Sequence, residues 1–296
     1  MSARPRLVDA GYAAGWAGVR RVPGPLAQRL FRLGADRAVR GDGPGVRQLR
    51  ANLARLAPGA DLDALVRDAM RSYARYWCEV FRLPAMDLAG VHRRTDPHVR
   101  GAGPFLEAQA NGRGVVFALT HSGNWDAAGV WLVETLRALG REPAFTTVAA
   151  KLEPESLYRR FVAYRESLGF EVVAAQDGAH AYRALHRRLR GGGVVCLVSD
   201  LDMSRSGVDV ELCGEPARVP AGAARLAAAT GALLLPAVPS FTPDGWALEF
   251  AAPVPVPDRA AVAKATQGVA DALGAMLARV PADWHMLQPI WTADRP

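Results

Sequence analysis

The hydrophobic pattern of the first part of the chain has helical spacing. In residues 61–82, apolar side chains recur every three or four positions and form one wide stripe along a helix. Asp61, just before the stripe, is of a residue type that caps helix N-termini. A second helix is predicted over residues 25–40, where leucines alternate with arginines. We therefore predict a helical portion over residues 1–85, whose basic amphipathic helices over residues 5–40 are of the kind that lies in a membrane interface.

From residue 100 onward, short apolar strands alternate with helices. Strands are predicted at 114–120, 143–149, 170–174, 193–200, 208–214, 232–241 and 246–254, and helices at 124–139, 154–168, 178–190, 220–230 and 259–279. Such alternation is typical of βαβ units, which form a parallel sheet covered on both faces. The prediction is an α/β fold: a mostly parallel central sheet flanked by helices on both faces, with an N-terminal helical extension. We expect a single domain over residues 1–296, with residues 100–296 as the α/β catalytic core.

Charge and composition narrow the choice of partners. The 296-residue chain has a formal net charge of +7, and nearly all of its basic residues are arginines. A basic surface attracts phosphates in nucleic acid, coenzyme A or anionic lipid headgroups, although a GC-rich genome also favours arginine. Nucleic-acid binding rests on charge alone, since the sequence contains no RRM, KH, zinc-finger or helix-turn-helix signature. We therefore expect no nucleic-acid partner.

The lack of a targeting signal in the sequence and the spacing of its cysteines bear on the compartment in which the protein is found. The N-terminus has no apolar run of signal-peptide type, and no apolar run approaches the ~20 residues that span a bilayer. The three cysteines have neither CxxC nor zinc spacing, which fits buried side chains in a reducing compartment. The protein is expected to be soluble or to rest on a membrane surface.

The stretch His121-Ser-Gly-Asn-Trp-Asp126 is the strongest chemical signal. It follows the strand predicted at 114–120, and open α/β sheets bind ligands at the carboxyl ends of their strands. A loop and one helical turn would bring the Asp126 carboxylate to one nitrogen of His121, leaving the other nitrogen to accept a proton. Such a pair suits the removal of a proton from a substrate hydroxyl that then attacks a carbonyl. Spacing alone leaves open a chance pair in which His121 only caps a helix or packs in the core.

Two other chemistries fit this stretch less well. Ser122 as the nucleophile of a triad would require a G-x-S-x-G elbow, which His-Ser-Gly is not. A metal site would require more ligands, and the remaining histidines have no HxxxH or HxH spacing. We expect neither a metal nor a resident cofactor.

Several segments resemble one family. The H-x4-D stretch at 121–126 resembles that of the glycerophospholipid and lipid A late acyltransferases. The same holds for Ser199-Asp-Leu-Asp-Met-Ser-Arg-Ser-Gly-Val208, Gly214-Glu-Pro-Ala-Arg-Val-Pro-Ala-Gly222 and Asp283-Trp-His-Met-Leu-Gln288. With Gly11-Tyr-Ala-Ala-Gly-Trp16 and Arg71-Ser-Tyr-Ala-Arg-Tyr-Trp77 added, nearly the whole chain is similar to the actinobacterial phosphatidylinositol mannoside acyltransferases.

The resemblance implies an activity and its partners. Such enzymes move a long acyl chain, typically palmitoyl, from acyl-CoA as co-substrate to the 6-hydroxyl of a mannose on a phosphatidylinositol mannoside. They act as peripheral proteins at the cytoplasmic face of the plasma membrane. The expected partners are therefore acyl-CoA, an anionic glycolipid of this type and the membrane surface.

The resemblance also implies roles for individual residues. The histidine of the H-x4-D motif is the base in that family and the aspartate is its partner, which assigns these roles to His121 and Asp126. An acidic residue after a buried strand also belongs to the family's site, and that role falls on Asp200. A basic residue that contacts the donor corresponds best to Arg165 and next best to Arg160.

Further positions have both a structural and a functional interpretation. In the polar loop Ser204-Arg-Ser206, Arg205 is a candidate phosphate ligand, or the loop is simply solvated. The segment Arg218-Val-Pro-Ala-Gly222 opens the helix predicted at 220–230, and this helix N-terminus can bind an anion or bind nothing. His285 is either a packing residue or a substrate contact. Aromatic side chains that fit either the core or the wall of an acyl channel are Tyr73, Tyr76, Trp77 and Phe81.

Three rival functions remain open on the sequence. A nucleic-acid-binding protein is suggested by charge only. A non-catalytic lipid carrier is disfavoured by the intact His–Asp pair. The nearest rival is an acyltransferase for another lipid acceptor, such as a lysophospholipid or a different glycolipid.

Overall fold

The computed structural model describes residues 18–150, 155–202 and 207–295, apart from the side chain of Leu157. The helices are α1 Gly24–Gly41, α2 Pro44–Leu56, α3 Leu62–Arg82, α4 Leu88–Thr95, α5 Gly103–Ala110, α6 Trp125–Ala138, α7 Glu155–Glu166, α8 Ala179–Arg190, α9 Gly222–Thr230 and α10 Val262–Leu277. The strands are β1 Val99–Arg100, β2 Val115–Leu119, β3 Phe145–Ala149, β4 Phe170–Ala174, β5 Val194–Val198, β6 Val208–Leu212, β7 Glu215–Val219, β8 Leu233–Phe241 and β9 Trp246–Phe250.

A seven-stranded sheet organises the described part of the chain, in the order β1-β9-β8-β2-β5-β3-β4. Neighbouring strands are parallel except for β8 and β9, which are antiparallel. Separate hydrophobic clusters cover the two faces of the sheet, one built with α9 and α10 and the other with α6. The central strands are continuous apolar runs because both of their faces are covered. The predicted α/β fold with helices on both faces is confirmed.

The N-terminal helices are built into this core. The side chain of Asp61 caps α3 as predicted, accepting a hydrogen bond from the backbone N–H of Ala64 at 3.1 Å. Val66 of α3 belongs to the cluster on one face of the sheet, and Tyr76 of the same helix belongs to the cluster on the other. Helix α3 therefore links both halves of the core. In the ranges that the structure describes, no helix is long and apolar enough to cross a membrane.

One strand was not predicted. Glu215–Val219 is strand β7, which pairs antiparallel with β6, and helix α9, predicted over 220–230, begins at Gly222. The reason lies in the turn before β7. Cys213 and Gly214 both have positive φ, at 53° and 81°, which is the backbone of a tight two-residue hairpin. Arg218 therefore lies on a strand and donates to Asp209 at 2.8 Å.

Candidate active site

His121 and Asp200 form a hydrogen-bonded pair at the carboxyl edge of the sheet. Nδ1 of His121 donates to Oδ1 of Asp200 at 2.7 Å, and the backbone N–H of His121 donates to Oδ2 at 2.8 Å. The indole N–H of Trp284 donates to the same Oδ2 at 3.0 Å. Asp200 thus accepts three hydrogen bonds, which hold both the carboxylate and the imidazole in one orientation.

Strand register produces this pairing. Strands β2 and β5 are parallel neighbours, and Leu119 at the end of β2 is paired with Val198 at the end of β5. His121 and Asp200 each come two residues after these strand ends. Because both strands end at the same edge, the two side chains meet although 79 positions separate them.

The electrostatic environment of His121 favours the protonated imidazole. Burial disfavours the imidazolium, but the Asp200 carboxylate outweighs this effect, so the pKa of His121 is raised above its ordinary value. Burial also opposes ionisation of Asp200, yet its hydrogen bonds with His121 and Trp284 lower the pKa of this carboxyl. The His121 side chain is 34% exposed and that of Asp200 only 4%. Since Nδ1 is occupied by Asp200, Nε2 is the nitrogen that can accept a proton from an incoming hydroxyl.

Asp126 has other partners than the predicted one. Its Oδ1 accepts from Nε of Arg165 at 2.9 Å and its Oδ2 accepts from the hydroxyl of Tyr76 at 3.2 Å. The predicted hydrogen bond between His121 and Asp126 is therefore wrong. Asp126 is the second residue of α6, and this buried carboxylate is neutralised by the guanidinium of α7, while Asp200 occupies Nδ1 of the imidazole.

Arg165 and Arg160 lie in different environments on α7. Arg165 is 13% exposed and its guanidinium carbon lies 4.6 Å from the centre of the Phe161 ring. Burial works against its charge, but the neighbouring Asp126 carboxylate raises the pKa of Arg165. Arg160 is exposed on the surface of the same helix. Of these two candidates, the structure brings only Arg165 to Asp126.

His285 lies behind His121. Its backbone N–H donates to the carbonyl of His121 at 2.8 Å, and its Nε2 lies 2.9 Å from Oγ of Ser72. Ser72 donates to Asp283 at 2.7 Å, so Nε2 of His285 carries the hydrogen shared with Ser72. Nδ1 of His285 is buried and has no hydrogen-bond partner among the described residues. Burial first, and then the nearby His121, lower the pKa of His285 to about 3, which keeps its ring neutral.

An apolar cavity adjoins this site, between α6 and the sheet. The space inside its lining, counted together with the open mouth, is about 600 Å³, and most of its lining residues are apolar. Among the described residues, Asp126 and Arg165 are the charged residues of its wall. Trp125 borders both the cavity and the His121 ring, with 5.8 Å between the ring centres. Its wall comes from α6, the strands and Arg165 of α7. The aromatic group of α3 is not part of this wall, and Tyr76 is a core residue with 1% exposure.

The polar loop and two further side chains complete the description of the site. Ser204, Arg205 and Ser206 lie outside the described residues. Trp284 donates a hydrogen bond to Asp200 and Tyr76 donates one to Asp126, and neither contact was predicted. The only signal for Trp284 in the sequence is its place beside His285 in the Asp283–Gln288 segment.

Comparison with known proteins defines the class of this fold and site. The chain belongs to the bacterial lipid A biosynthesis acyltransferase family, whose model matches residues 5–293. It is 48% identical over 295 residues to the phosphatidylinositol mannoside acyltransferase of Mycolicibacterium smegmatis, an alignment that covers 98% of this chain and 93% of that protein. It is 46% identical over 292 residues to the phosphatidylinositol mannoside acyltransferase of Mycobacterium tuberculosis (strain CDC 1551 / Oshkosh), covering 97% of this chain and 89% of that protein.

Proposed function

We propose that this protein transfers a long acyl chain, palmitoyl in the first instance, from acyl-CoA to the 6-hydroxyl of a mannose on a phosphatidylinositol mannoside. The observation that carries the proposal is the His121–Asp200 pair beside an apolar cavity. The names of the relatives, at 46% and 48% identity over nearly the full chain, support the acceptor.

In the proposed mechanism, the mannose hydroxyl attacks the thioester directly. Nε2 of His121 takes the hydroxyl proton as the C–O bond forms, and Asp200 stabilises the imidazolium. The tetrahedral intermediate then collapses as the C–S bond breaks, and Nε2 returns the proton to the thiolate of coenzyme A. No covalent enzyme intermediate is formed.

Asp126 and Arg165 have a second role in the proposal. Their buried ion pair lies in the cavity wall next to Trp125, where the thioester end of the donor would enter. We assign Asp126 to holding Arg165, and Arg165 to positioning the polar end of the donor. In this proposal Asp126 acts on Arg165 and has no direct contact with the imidazole of His121.

Helix α1 supports action at a membrane surface, which we place at the cytoplasmic face of the plasma membrane. Leu26, Leu30 and Leu33 lie on one face of the helix and are 49%, 54% and 55% exposed. Exposed arginines follow the same helix at positions 29, 32, 37 and 40. An exposed apolar stripe with basic residues beside it suits anionic lipid headgroups.

An acceptor panel tests the proposed function. Purified protein is incubated with labelled palmitoyl-CoA and with phosphatidylinositol mannosides, unmannosylated phosphatidylinositol, a lysophospholipid and an unrelated glycolipid. The proposal predicts label on the mannosylated lipids only. Labelling of the lysophospholipid or of the unrelated glycolipid in preference would instead identify an acyltransferase for another acceptor.

A further inference from the structure

Strand register divides the cavity wall into levels. The levels, from the His121 end downward, are Leu119 with Val198, then Phe117 with Cys196 and Thr147, then Phe145 with Phe170. The last level therefore lies at the beginning of the strands, opposite the catalytic edge of the sheet.

The distance between the levels of His121 and Phe145 follows from the same register. Phe145 is paired with Val194, which is paired with Val115, six residues before His121. At roughly 3.3 Å per residue, the level of Phe145 lies about 20 Å below that of the imidazole. One acyl chain of a lipid leaflet fills about half of the ~30 Å hydrocarbon core of a bilayer. The distance from the level of the imidazole to that of the phenyl rings is therefore comparable with the length of a long acyl chain.

Two phenyl rings and a glycine line the cavity at its last level. Phe145 and Phe170 are each 4% exposed, and their ring centres lie 4.5 Å apart. Gly129 lies against them inside α6. A Cβ atom at Gly129 would lie 2.5 Å from Cζ of Phe170 and 3.1 Å from Cζ of Phe145. Glycine is a poor helix former, so its place inside this helix has a packing reason: the rings occupy the space of its side chain.

We propose that Phe145 and Phe170, packed on Gly129, form the floor of the acyl site and set the maximum length of the transferred chain. This inference rests on the proposed function. A chain that reaches the floor buries all of its methylenes, whereas a longer chain would have to displace the rings. In an apolar pocket, one extra or missing methylene changes the specificity of an enzyme by about 10-fold to 200-fold.

Two substitutions at the same contact are expected to act in opposite directions. Phe170→Leu deepens the floor, so the ratio of kcat/KM for stearoyl-CoA to that for palmitoyl-CoA rises by about 10-fold or more. Gly129→Ala pushes the phenyl ring into the adjacent free space, which is the cavity. The ratio for myristoyl-CoA to palmitoyl-CoA then rises instead. A general loss of stability would lower all of these activities together and leave the ratios unchanged.

A matched control comes from the same core. Phe105 is fully buried but does not line the cavity, so Phe105→Leu is expected to keep the wild-type ratios. If Gly129→Ala does not fold, as judged by circular dichroism, Phe170→Leu and Phe145→Leu decide the question. Wild-type ratios in both of these variants, with palmitoyl still transferred, would overturn the floor assignment. If the wild-type protein transfers no acyl chain of any length, it is the proposed function that fails.

Discussion

Nδ1 of His121 lies 2.7 Å from Oδ1 of Asp200, whereas Asp126, the acidic residue nearest to His121 in the sequence, is hydrogen-bonded to Arg165. The carboxylate that is hydrogen-bonded to the histidine therefore follows a neighbouring strand and does not come from the histidine's own motif. Substitution of Asp200 and substitution of Asp126 are therefore expected to have different effects on the reaction.

Replacement of Asp200 is expected to change the pH dependence of the reaction. The carboxylate raises the pKa of His121, so the acid limb of kcat/KM in the wild-type protein lies above the ordinary histidine value of 6.5. In Asp200→Asn the carboxylate that raises the pKa of His121 is absent, whereas the burial that lowers this pKa remains. The acid limb of kcat/KM therefore moves below pH 6.5. The rate falls by roughly 10²–10⁴, because an amide no longer stabilises the imidazolium. A pH profile of kcat/KM for both proteins measures the shift.

Asp126→Asn is the matched control for that experiment. It removes a buried carboxylate of similar size from the same site but leaves the Asp200 hydrogen bond in place. The acid limb should stay at its wild-type pH in this variant. A limb that moves in Asp126→Asn and not in Asp200→Asn would restore Asp126 as the partner of His121.

The ion pair between Asp126 and Arg165 is expected to show strong coupling in stability. Arg165→Met alone leaves a carboxylate buried without its cation, which costs about 3–5 kcal/mol of unfolding free energy. The double variant Asp126→Asn, Arg165→Met removes both charges and should be more stable than Arg165→Met. Urea unfolding of the single and double variants gives the coupling energy. Additive effects of the two substitutions would mean that the pair does not stabilise the fold.

His285 is expected to make the protein sensitive to acid. Its pKa is lowered to about 3 in the folded protein, from 6.5, so the unfolded chain binds the proton first as pH falls. The stability contributed by neutral His285 is complete above pH 6.5 and declines as pH falls towards 3. Between about pH 7.5 and pH 5 the loss amounts to about 2 kcal/mol. Unfolding free energies at both pH values should show a smaller loss for His285→Gln; an equal loss would place the acid sensitivity elsewhere.

The exposed leucines of α1 are expected to bind membranes. Replacing Leu26, Leu30 and Leu33 together by alanine removes the apolar stripe, and vesicle partitioning should fall at least about 10-fold. Flotation with anionic vesicles measures the partition coefficient. Leu139→Ala is the control, because Leu139 is similarly exposed, at 42%, but lies after α6. Equal binding of the triple variant and the control would remove α1 from the membrane contact.

Much of the fold could be predicted from the sequence because its signals are local. Strands such as β2 and β5 are continuous apolar runs bounded by glycine, and α3 has both a regular apolar stripe and a capping aspartate. Strand β7 was missed because its Glu-Pro-Ala-Arg-Val sequence is short and polar, and because the hairpin before it depends on the backbone at Cys213. A hairpin of this kind has little hydrophobic pattern to reveal it.

The site was predictable only in part because its key contact is not local. His121 could be found from its position after a strand, but its partner depends on which strands are neighbours in the sheet. Spacing in the chain favoured Asp126, whereas the adjacency of β2 and β5 brings Asp200 to the imidazole. Trp284 likewise reaches Asp200 from the far end of the sequence.

The most direct test of His121 as the base is the transfer of labelled palmitoyl from palmitoyl-CoA to a phosphatidylinositol mannoside by the wild-type protein and by His121→Ala. The proposed mechanism predicts transfer by the wild-type protein and a rate at least about 10²-fold lower in a folded His121→Ala variant. A His121→Ala variant that transfers palmitoyl at the wild-type rate would contradict it.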